Sequence, residues 1–276
     1  MSSTNKKDEK FDFIFVVLCY RNIHDLQKFI NSANELEDTF KIIVVNSYFD
    51  DETKEYLQEI ALNNNCDFIN VPNKGYGAGN NTGIEHAQSN YEFEYIVVCN
   101  PDIELINFSQ EYFRNKKDYI IAPDIRTLTG KPQNPFIDSS NKFVEWIEYH
   151  GYRYQSKFLL YSGFGINKIF REVSNVLWKM TRKRREIYAS HGSCVIFGKD
   201  ALKKLGRPYD ENMFLFCEEF HLAKLAESKG VTTIMMSELK ILHKEDGSVV
   251  FIGDKAFGLQ AKSYIYYYEN WYKKQE

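Results

Sequence analysis

The 276-residue chain has little proline, 6 residues, and no apolar run that approaches the roughly 18–20 residues needed to cross a bilayer, so no membrane-spanning helix is expected. Its 5 cysteines, Cys19, Cys66, Cys99, Cys194 and Cys217, include no C-x-x-C pair and are odd in number. That argues against structural zinc and a disulfide framework and fits a reducing cytosol. Neither sign of charge is in excess: Lys plus Arg is 35 and Asp plus Glu is 38, for a net charge of −3. A near-neutral chain lacks the broad basic face of sequence-independent nucleic-acid binding, and no nucleic-acid partner is expected. The opening MSSTNKKDEK has no apolar stretch, so no signal peptide is expected. What remains is an ordinary globular mix, 43% hydrophobic and 26% charged, with 16% aromatic residues as its unusual number.

Strand and helix patterns alternate through the first half. FDFIFVVLCY (11–20), FKIIVVN (40–46), CDFINV (66–71) and YEFEYIVVCNPDIEL (91–105) read as strands. Helical spacing separates them over 23–36 and 51–65; NKGYGAGNN (73–81) reads as a glycine-rich turn before a helix at 82–90. The fold class is therefore α/β, a Rossmann-like, mostly parallel sheet flanked by helices. Such sheets bind ligands beyond the carboxyl ends of their strands, where Cys19–Arg21, Asn46, Asn73–Asn81 and Asn100–Asp102 fall. Further on, Ile166, Ile169, Phe170, Val173, Val176, Leu177 and Met180 mark an amphipathic helix within 164–186 that runs into RKRR (182–185). Strands are expected at 189–198 and 231–236, a helix over 218–230, and a Tyr-rich helix at the C-terminus.

Four constellations could carry chemistry. In NKGYGAGNNTG (73–83), glycines allow close backbone approach to a ligand, and Asn73, Lys74, Asn80 and Asn81 favour a polar one. The spacing is not that of a dinucleotide fingerprint or a P-loop, and a plain tight turn is the bland alternative. CNPD (99–102) sets Asp102 in a turn at the sheet edge, where a hard cation on a diphosphate could use one carboxylate. In FLFCEEFH (214–221), Glu218 and Glu219 open a helix; they suit either the helix dipole or general-base chemistry. His243, in HKEDGS (243–248), is a surface or core histidine or a metal ligand.

The order of these motifs resembles family 2 glycosyltransferases of the GT-A type, especially bacterial rhamnosyltransferase-like members, over roughly 14–105 and 190–272. NKGYGAGNNTGIEHA, VVCNPDIEL, HGSCVIFGKDALKKLGRPYDENMFLFCEEF, HKEDGS and YYYENW are similar to five successive family segments. The resemblance implies an inverting transfer of rhamnose or another hexose from a UDP- or dTDP-sugar to a glycan or lipid-linked acceptor, in cell-surface polysaccharide synthesis. It implies Mn²⁺ or Mg²⁺ on Asp102 and His243, and Glu219, with Glu218 as second choice, as base. It further implies a donor pocket of Cys19, Tyr20, Arg21, Asn46, Asn73, Lys74, Gly75, Gly77, Asn80, Asn81, Asn100 and Asp102. Residues 11–125 would form the donor part. Residues 126–276 would form the acceptor part, with a basic amphipathic insertion at about 164–186 that packs internally or lies on an anionic membrane. The site would be cytoplasmic, at the inner face of the cell membrane. Four positions depart from the family pattern: Asn46 and Glu219 replace Asp, Arg21 replaces Asn, and Glu269 replaces Arg. A nucleotidyltransferase and a non-catalytic nucleotide- or sugar-binding relative are the alternatives.

Overall fold

The computed structural model describes residues 9–21, 23–181, 185–245 and 255–273. Residues 182–184 of RKRR, and Asp246, Gly247 and Ser248 of HKEDGS, lie outside the described residues. The strands are β1 (Lys10–Cys19), β2 (Phe40–Tyr48), β3 (Asp67–Pro72), β4 (Glu92–Cys99), β5 (Ile103–Asn107), β6 (Tyr119–Thr127), β7 (Arg185–Ile187), β8 (Cys194–Gly198) and β9 (Thr232–His243). The α-helices are α1 (Leu26–Ala33), α2 (Asp51–Asn63), α3 (Tyr76–Asn90), α4 (Lys142–Arg153), α5 (Lys157–Thr181), α6 (Lys199–Leu205), α7 (Glu218–Ser228) and α8 (Ala256–Tyr268). Among the described residues the strands form one sheet, ordered β3-β2-β1-β4-β8-β6-β9-β5, with β7 also on β9. The first four strands in that order are parallel, and β6 is parallel to β9. β8 runs antiparallel between β4 and β6, while β5 and β7 run antiparallel to β9.

The strand period of two sorts the core. Phe13, Phe15, Val17 and Cys19 of β1 face α1 and α2, joined by Tyr95, Val97 and Cys99 of β4. Ile14, Val16 and Leu18 face the opposite way, with Ile84 and Ala87 of α3 and Leu202 of α6. Burial on both faces explains why β1 reads as a continuous apolar run rather than an alternation.

Two expected elements take a different form. The glycine segment is not a turn but the first turns of α3, which begins at Tyr76. Glycine is a poor helix former, yet here each missing side chain lets the helix approach its neighbours. A Cβ at Gly79 would come within 2.4 Å of Leu18 Cδ1, and one at Gly83 within 2.3 Å of Val16 Cγ1 and 2.9 Å of Val45 Cγ2. Gly75 has φ of 107°, and a Cβ there would meet the Phe214 carbonyl oxygen at 2.3 Å. The other change is at Asn100–Pro101–Asp102, which splits the expected fourth strand. β4 ends at Cys99, and β5 leaves to pair with β9 at the far edge. The division expected at 125/126 falls inside β6, and the sheet is continuous across it.

The aromatic excess has its own cluster. Tyr149, Tyr152, Tyr264, Tyr267 and Tyr268 are buried between α4 and α8. Their hydroxyls need acceptors, and α4 supplies them. Tyr264 Oη donates to Glu148 Oε2, and Tyr267 and Tyr272 Oη both donate to Glu145 Oε2, each at 2.7 Å. Hydrogen bonds to charged groups contribute roughly 1.5–3 kcal/mol each. The departing Glu269 belongs to this cluster too, accepting from Tyr149 Oη at 2.8 Å and Arg153 Nη1 at 3.2 Å.

Gly83→Ala separates propensity from packing. Helix propensity alone favours alanine by about 1 kcal/mol, whereas the clash with Val16 and Val45 predicts a net loss of about 1–3 kcal/mol. Chemical denaturation measures the difference; a midpoint equal to or above wild type would refute this contact.

Candidate active site

Strand register gathers the candidate residues at one edge. Cys19 lies opposite Asn46, Asn46 opposite Asn70, and Val17 opposite Cys99. At the split after β4, Asp102 is 2% exposed, and neither carboxylate oxygen has a hydrogen-bond partner among the described residues. The β5–β9 register pairs Ile103 with His243, which brings the His243 ring beside the preceding Asp102, with Nε2 3.4 Å from Oδ2. The other ring nitrogen identifies the tautomer. Gln133 Nε2 donates to Glu245 Oε1 at 2.9 Å, so Gln133 Oε1 is the atom 2.7 Å from His243 Nδ1 and accepts its proton. In the neutral ring, Nε2 is then a lone pair aimed at the carboxylate, an arrangement suited to a cation between them. Among the described residues no cluster of three His, Cys, Asp or Glu could hold a metal by itself. Two protein donors suit a cation whose remaining positions belong to phosphate oxygens and water.

The proposed base stands close by. Asn100 N donates to Ser193 O at 3.0 Å, tying the Asn-Pro-Asp turn to the segment entering β8. In that segment the His191 ring lies 5.7 Å from the His243 ring, and burial, followed by His243, pushes His191 down to about 4. Glu219 lies over Gly192, where a Cβ would come within 2.8 Å of its Oε1. Burial is the largest influence on both Glu218 and Glu219 and pushes both carboxyls up; their mutual repulsion adds to this at Glu218. Glu218 is sealed, with Oε1 unpartnered, whereas Glu219 is partly open. Phe216 and Cys217, at φ of 70° and 71°, turn the chain sharply before α7 and aim the pair. Tyr76 closes the floor, its hydroxyl donating to Gly192 O at 2.8 Å.

The expected donor residues divide. Asn46 is fully buried, donates through Nδ2 to Asn70 Oδ1 at 2.7 Å, and has no partner for Oδ1. Asn80 is fully buried with both amide atoms unpartnered among the described residues. Tyr20 and Arg21 pack on Phe49, with ring centroids 5.9 Å apart and the guanidinium carbon 4.1 Å above the Phe49 ring. Lys74 is exposed at the edge, and Asn73 Oδ1 accepts from Gly75 N at 3.2 Å. Others serve the scaffold. Cys19 is fully buried, its thiol pushed up by burial and then by Asp102, and it packs beneath the site. Asn81 turns away to donate to Tyr209 O at 2.9 Å and Glu211 Oε1 at 3.2 Å. Gly75 and Gly77 abut Phe214 and Tyr209. Sequence reasoning did not reach Gln133, His191, Gly192 or Phe49; only the quoted HGSC segment carried a signal for any of them.

Comparisons with known proteins bear on the fold and on the segment that carries β1–β5. Residues 14–107 match the family described as "Glycosyl transferase family 2". The chain is 20% identical over 239 residues to the low-salt glycan biosynthesis hexosyltransferase Agl10 of Haloferax volcanii, covering 85% of this chain and 67% of that protein. Among solved structures, GalNAc-T7 with UDP, GalNAc and Mn²⁺ superposes with a TM-score of 0.62 at 12% identity, over 96% of this chain and 49% of that one. S. aureus TarS superposes with a TM-score of 0.54 at 11% identity, over 84% of this chain and 36% of that one. The chain thus spans about two thirds of the curated relative and half or less of these two solved structures. Fold and matched segment define a glycosyltransferase of GT-A architecture. Within it, residues 14–107 match the glycosyl transferase family 2 model.

Asn80 gives a test of the site without substrate. An unpaired buried amide costs roughly 1–3 kcal/mol, so Asn80→Leu, of similar volume, should raise the thermal midpoint of the ligand-free protein. A lower midpoint would show that the amide is satisfied in solution.

Proposed function

We propose that the protein is an inverting, divalent-metal-dependent glycosyltransferase moving rhamnose or another hexose from a UDP- or dTDP-sugar to a glycan or lipid-linked acceptor. Cell-surface polysaccharide synthesis is the process this reading fits. The observation that carries it is the Asp102 carboxylate, buried with neither oxygen hydrogen-bonded and with Oδ2 3.4 Å from His243 Nε2. An isolated charge in that position is costly unless a cation compensates it. Asp102 and His243 would hold Mn²⁺ or Mg²⁺; when bound, the ion neutralises charge on the diphosphate leaving group. GalNAc-T7, of similar fold, was solved with UDP and Mn²⁺, which supports this reading.

The chain's own groups divide the remaining work. Asn46 Oδ1 would accept an N–H of the base, and Phe49 with Tyr20 would offer an aromatic wall. Asn80, Asn100 and Lys74 would contact the sugar and phosphates. Glu219, held over Gly192, would take the proton of the acceptor hydroxyl as it attacks opposite the diphosphate, which gives inversion. Residues 11–125 supply the donor side, and 126–276 supply the base, His243 and the acceptor side.

A thermal-shift titration tests the donor reading. UDP should raise the midpoint of the wild-type protein with Mn²⁺ and not without it, and Asp102→Ala should abolish the Mn²⁺-dependent part. A metal-independent shift would exclude the Asp102–His243 role. Glu219→Gln should keep that shift while transfer falls by about 10²–10⁴-fold, the usual contribution of a general base. Because burial raises the pair, the base is protonated above the ordinary carboxylate range. Wild-type transfer should therefore rise with pH toward neutrality, with its acid limb above pH 4.5. A limb at or below that value would remove Glu219 as base.

The expected amphipathic helix is α5, which begins at Lys157. No helix among the described residues is long and apolar enough to cross a membrane. Phe158, Tyr161, Ile169, Val173 and Val176 are exposed along one face, Phe158 at 79%. With Lys157 and Lys168 flanking this stripe, the proposal includes peripheral docking on an anionic membrane surface. Wild type should co-sediment with phosphatidylglycerol vesicles at low salt, and Phe158→Ser/Ile169→Ser should not. Absence of wild-type binding would remove this part.

A further inference from the structure

Two histidine rings meet at the site, 5.7 Å apart and inclined at 62°, and they carry their protons on opposite nitrogens. A backbone N–H is always a donor, so a ring nitrogen that receives one presents a lone pair. Ser193 N donates to His191 Nδ1 at 3.2 Å, and the Ser193 hydroxyl, 2.9 Å from the same lone pair, donates as well. The ring proton of His191 therefore sits on Nε2, which has no partner among the described residues. The neutral His243 ring is the reverse, with its proton on Nδ1, held by Gln133 Oε1, and its lone pair on Nε2. A lone pair suits a cation, and an N–H suits an anion. We infer that His191 is a fixed, uncharged donor to an oxygen of the sugar-side phosphate of the nucleotide diphosphate, an inference that rests on the glycosyltransferase reading above.

The ring is set in place before any ligand arrives. His191 N donates to Asn134 Oδ1 at 2.8 Å, and Asn134 Nδ2 donates in turn to Pro123 O of β6 at 2.8 Å. Gly192 O accepts from Tyr76 Oη at 2.8 Å, and Ser193 O from Asn100 N at 3.0 Å. The Phe136 ring packs against the imidazole at 5.8 Å and 79°. His191 cannot ligate an ion through Nε2 without moving its proton to Nδ1, which would forfeit both bonds from Ser193. Its place explains the choice of ligand. The His191 ring stands beside His243, and the next residue, Gly192, lies beneath Glu219. The tripeptide 191–193 thus lies between the cation pair and the proposed base. In the proposed reaction the group that lies between a cation and a sugar under attack is the sugar-side phosphate, whose oxygens gain charge as the sugar leaves. A donor already oriented toward that charge costs no rearrangement during the reaction. A neutral imidazole also avoids the repulsion that Arg or Lys would exert on the cation.

Two measurements test the inference. Long-range ¹H–¹⁵N NMR of the ligand-free protein, with His191→Phe to assign the signals, should show the His191 proton on Nε2; a proton on Nδ1 would overturn the donor. Calorimetric titration with Mn²⁺ present then compares UDP, UMP and inorganic pyrophosphate. His191→Phe keeps a flat ring without an N–H, and should weaken UDP and pyrophosphate by about 10–100-fold, the range of a hydrogen bond to a charged acceptor. UMP, which lacks the sugar-side phosphate, should bind as it does to wild type. His191→Gln places an amide N–H near the Nε2 position and should recover most of the loss, whereas His191→Asn, whose amide lies nearer Nδ1, should not. UDP affinity unchanged in His191→Phe, or equal losses in the Gln and Asn variants, would overturn the inference and leave the glycosyltransferase reading standing. If wild type binds UDP no more tightly than pyrophosphate, and His191→Phe weakens both, the anion donor is upheld and the nucleotide-sugar reading falls. If wild type binds neither, both fall.

Discussion

The structure is organised around a carboxylate that the fold by itself leaves unsatisfied. Asp102 sits in the turn that ends β4, with both oxygens buried and unpartnered among the described residues. Desolvating an unpaired carboxylate costs several kcal/mol, and the backbone around this one is fixed. The rigidity is visible in the backbone: Asn100 N is held by Ser193 O, and Lys244 N by Asp102 O. β5 then carries the chain to the β9 edge, where the register brings His243 beside it. Four segments distant in sequence, 100–102, 133, 191–193 and 243–245, therefore converge on a volume of a few side chains.

Much of this was legible in the chain. The apolar runs of β1, β2 and β4 are buried on both faces, and strand period alone sorts their side chains between two cores. The strand-terminal positions of Asn46 and Asp102 follow from the same reading. The glycines at 75–83 were misleading because local propensity and tertiary packing oppose each other there. As a sequence they read as a turn, but in the fold they allow α3 to press on Val16, Leu18 and Val45. Asn81 looked like Asn80, yet one amide is consumed by Tyr209 and Glu211 while the other has no partner; spacing cannot distinguish them. Gln133 and Gly192 act through partners about 110 and 27 residues away, at His243 and Glu219, and nothing local marks them.

The aromatic content belongs mainly to architecture. Phe13 packs edge to face on Phe108 and Phe113, and Phe15 and Phe113 meet Phe108 at a tilt. The tyrosines of the tail fasten α8 to α4 by donating to buried glutamates. This pairing has a chemical logic: a tyrosine buries a large ring while its hydroxyl satisfies an acid that would otherwise be stranded.

The placement of α4 and α5 bears on how such a protein can diversify. They are inserted between β6 and β7, two strands that pair with opposite edges of β9. Since the anchoring strands are fixed by the sheet, the entropic cost of lengthening the insert grows only with the logarithm of its length. The edge built from β1, β2, β4 and α3 shares no strand with it. Mutation can therefore lengthen or shorten α4 and α5 without disturbing β1, β2, β4 or α3, although Gln133, in the same insert, ties it to His243.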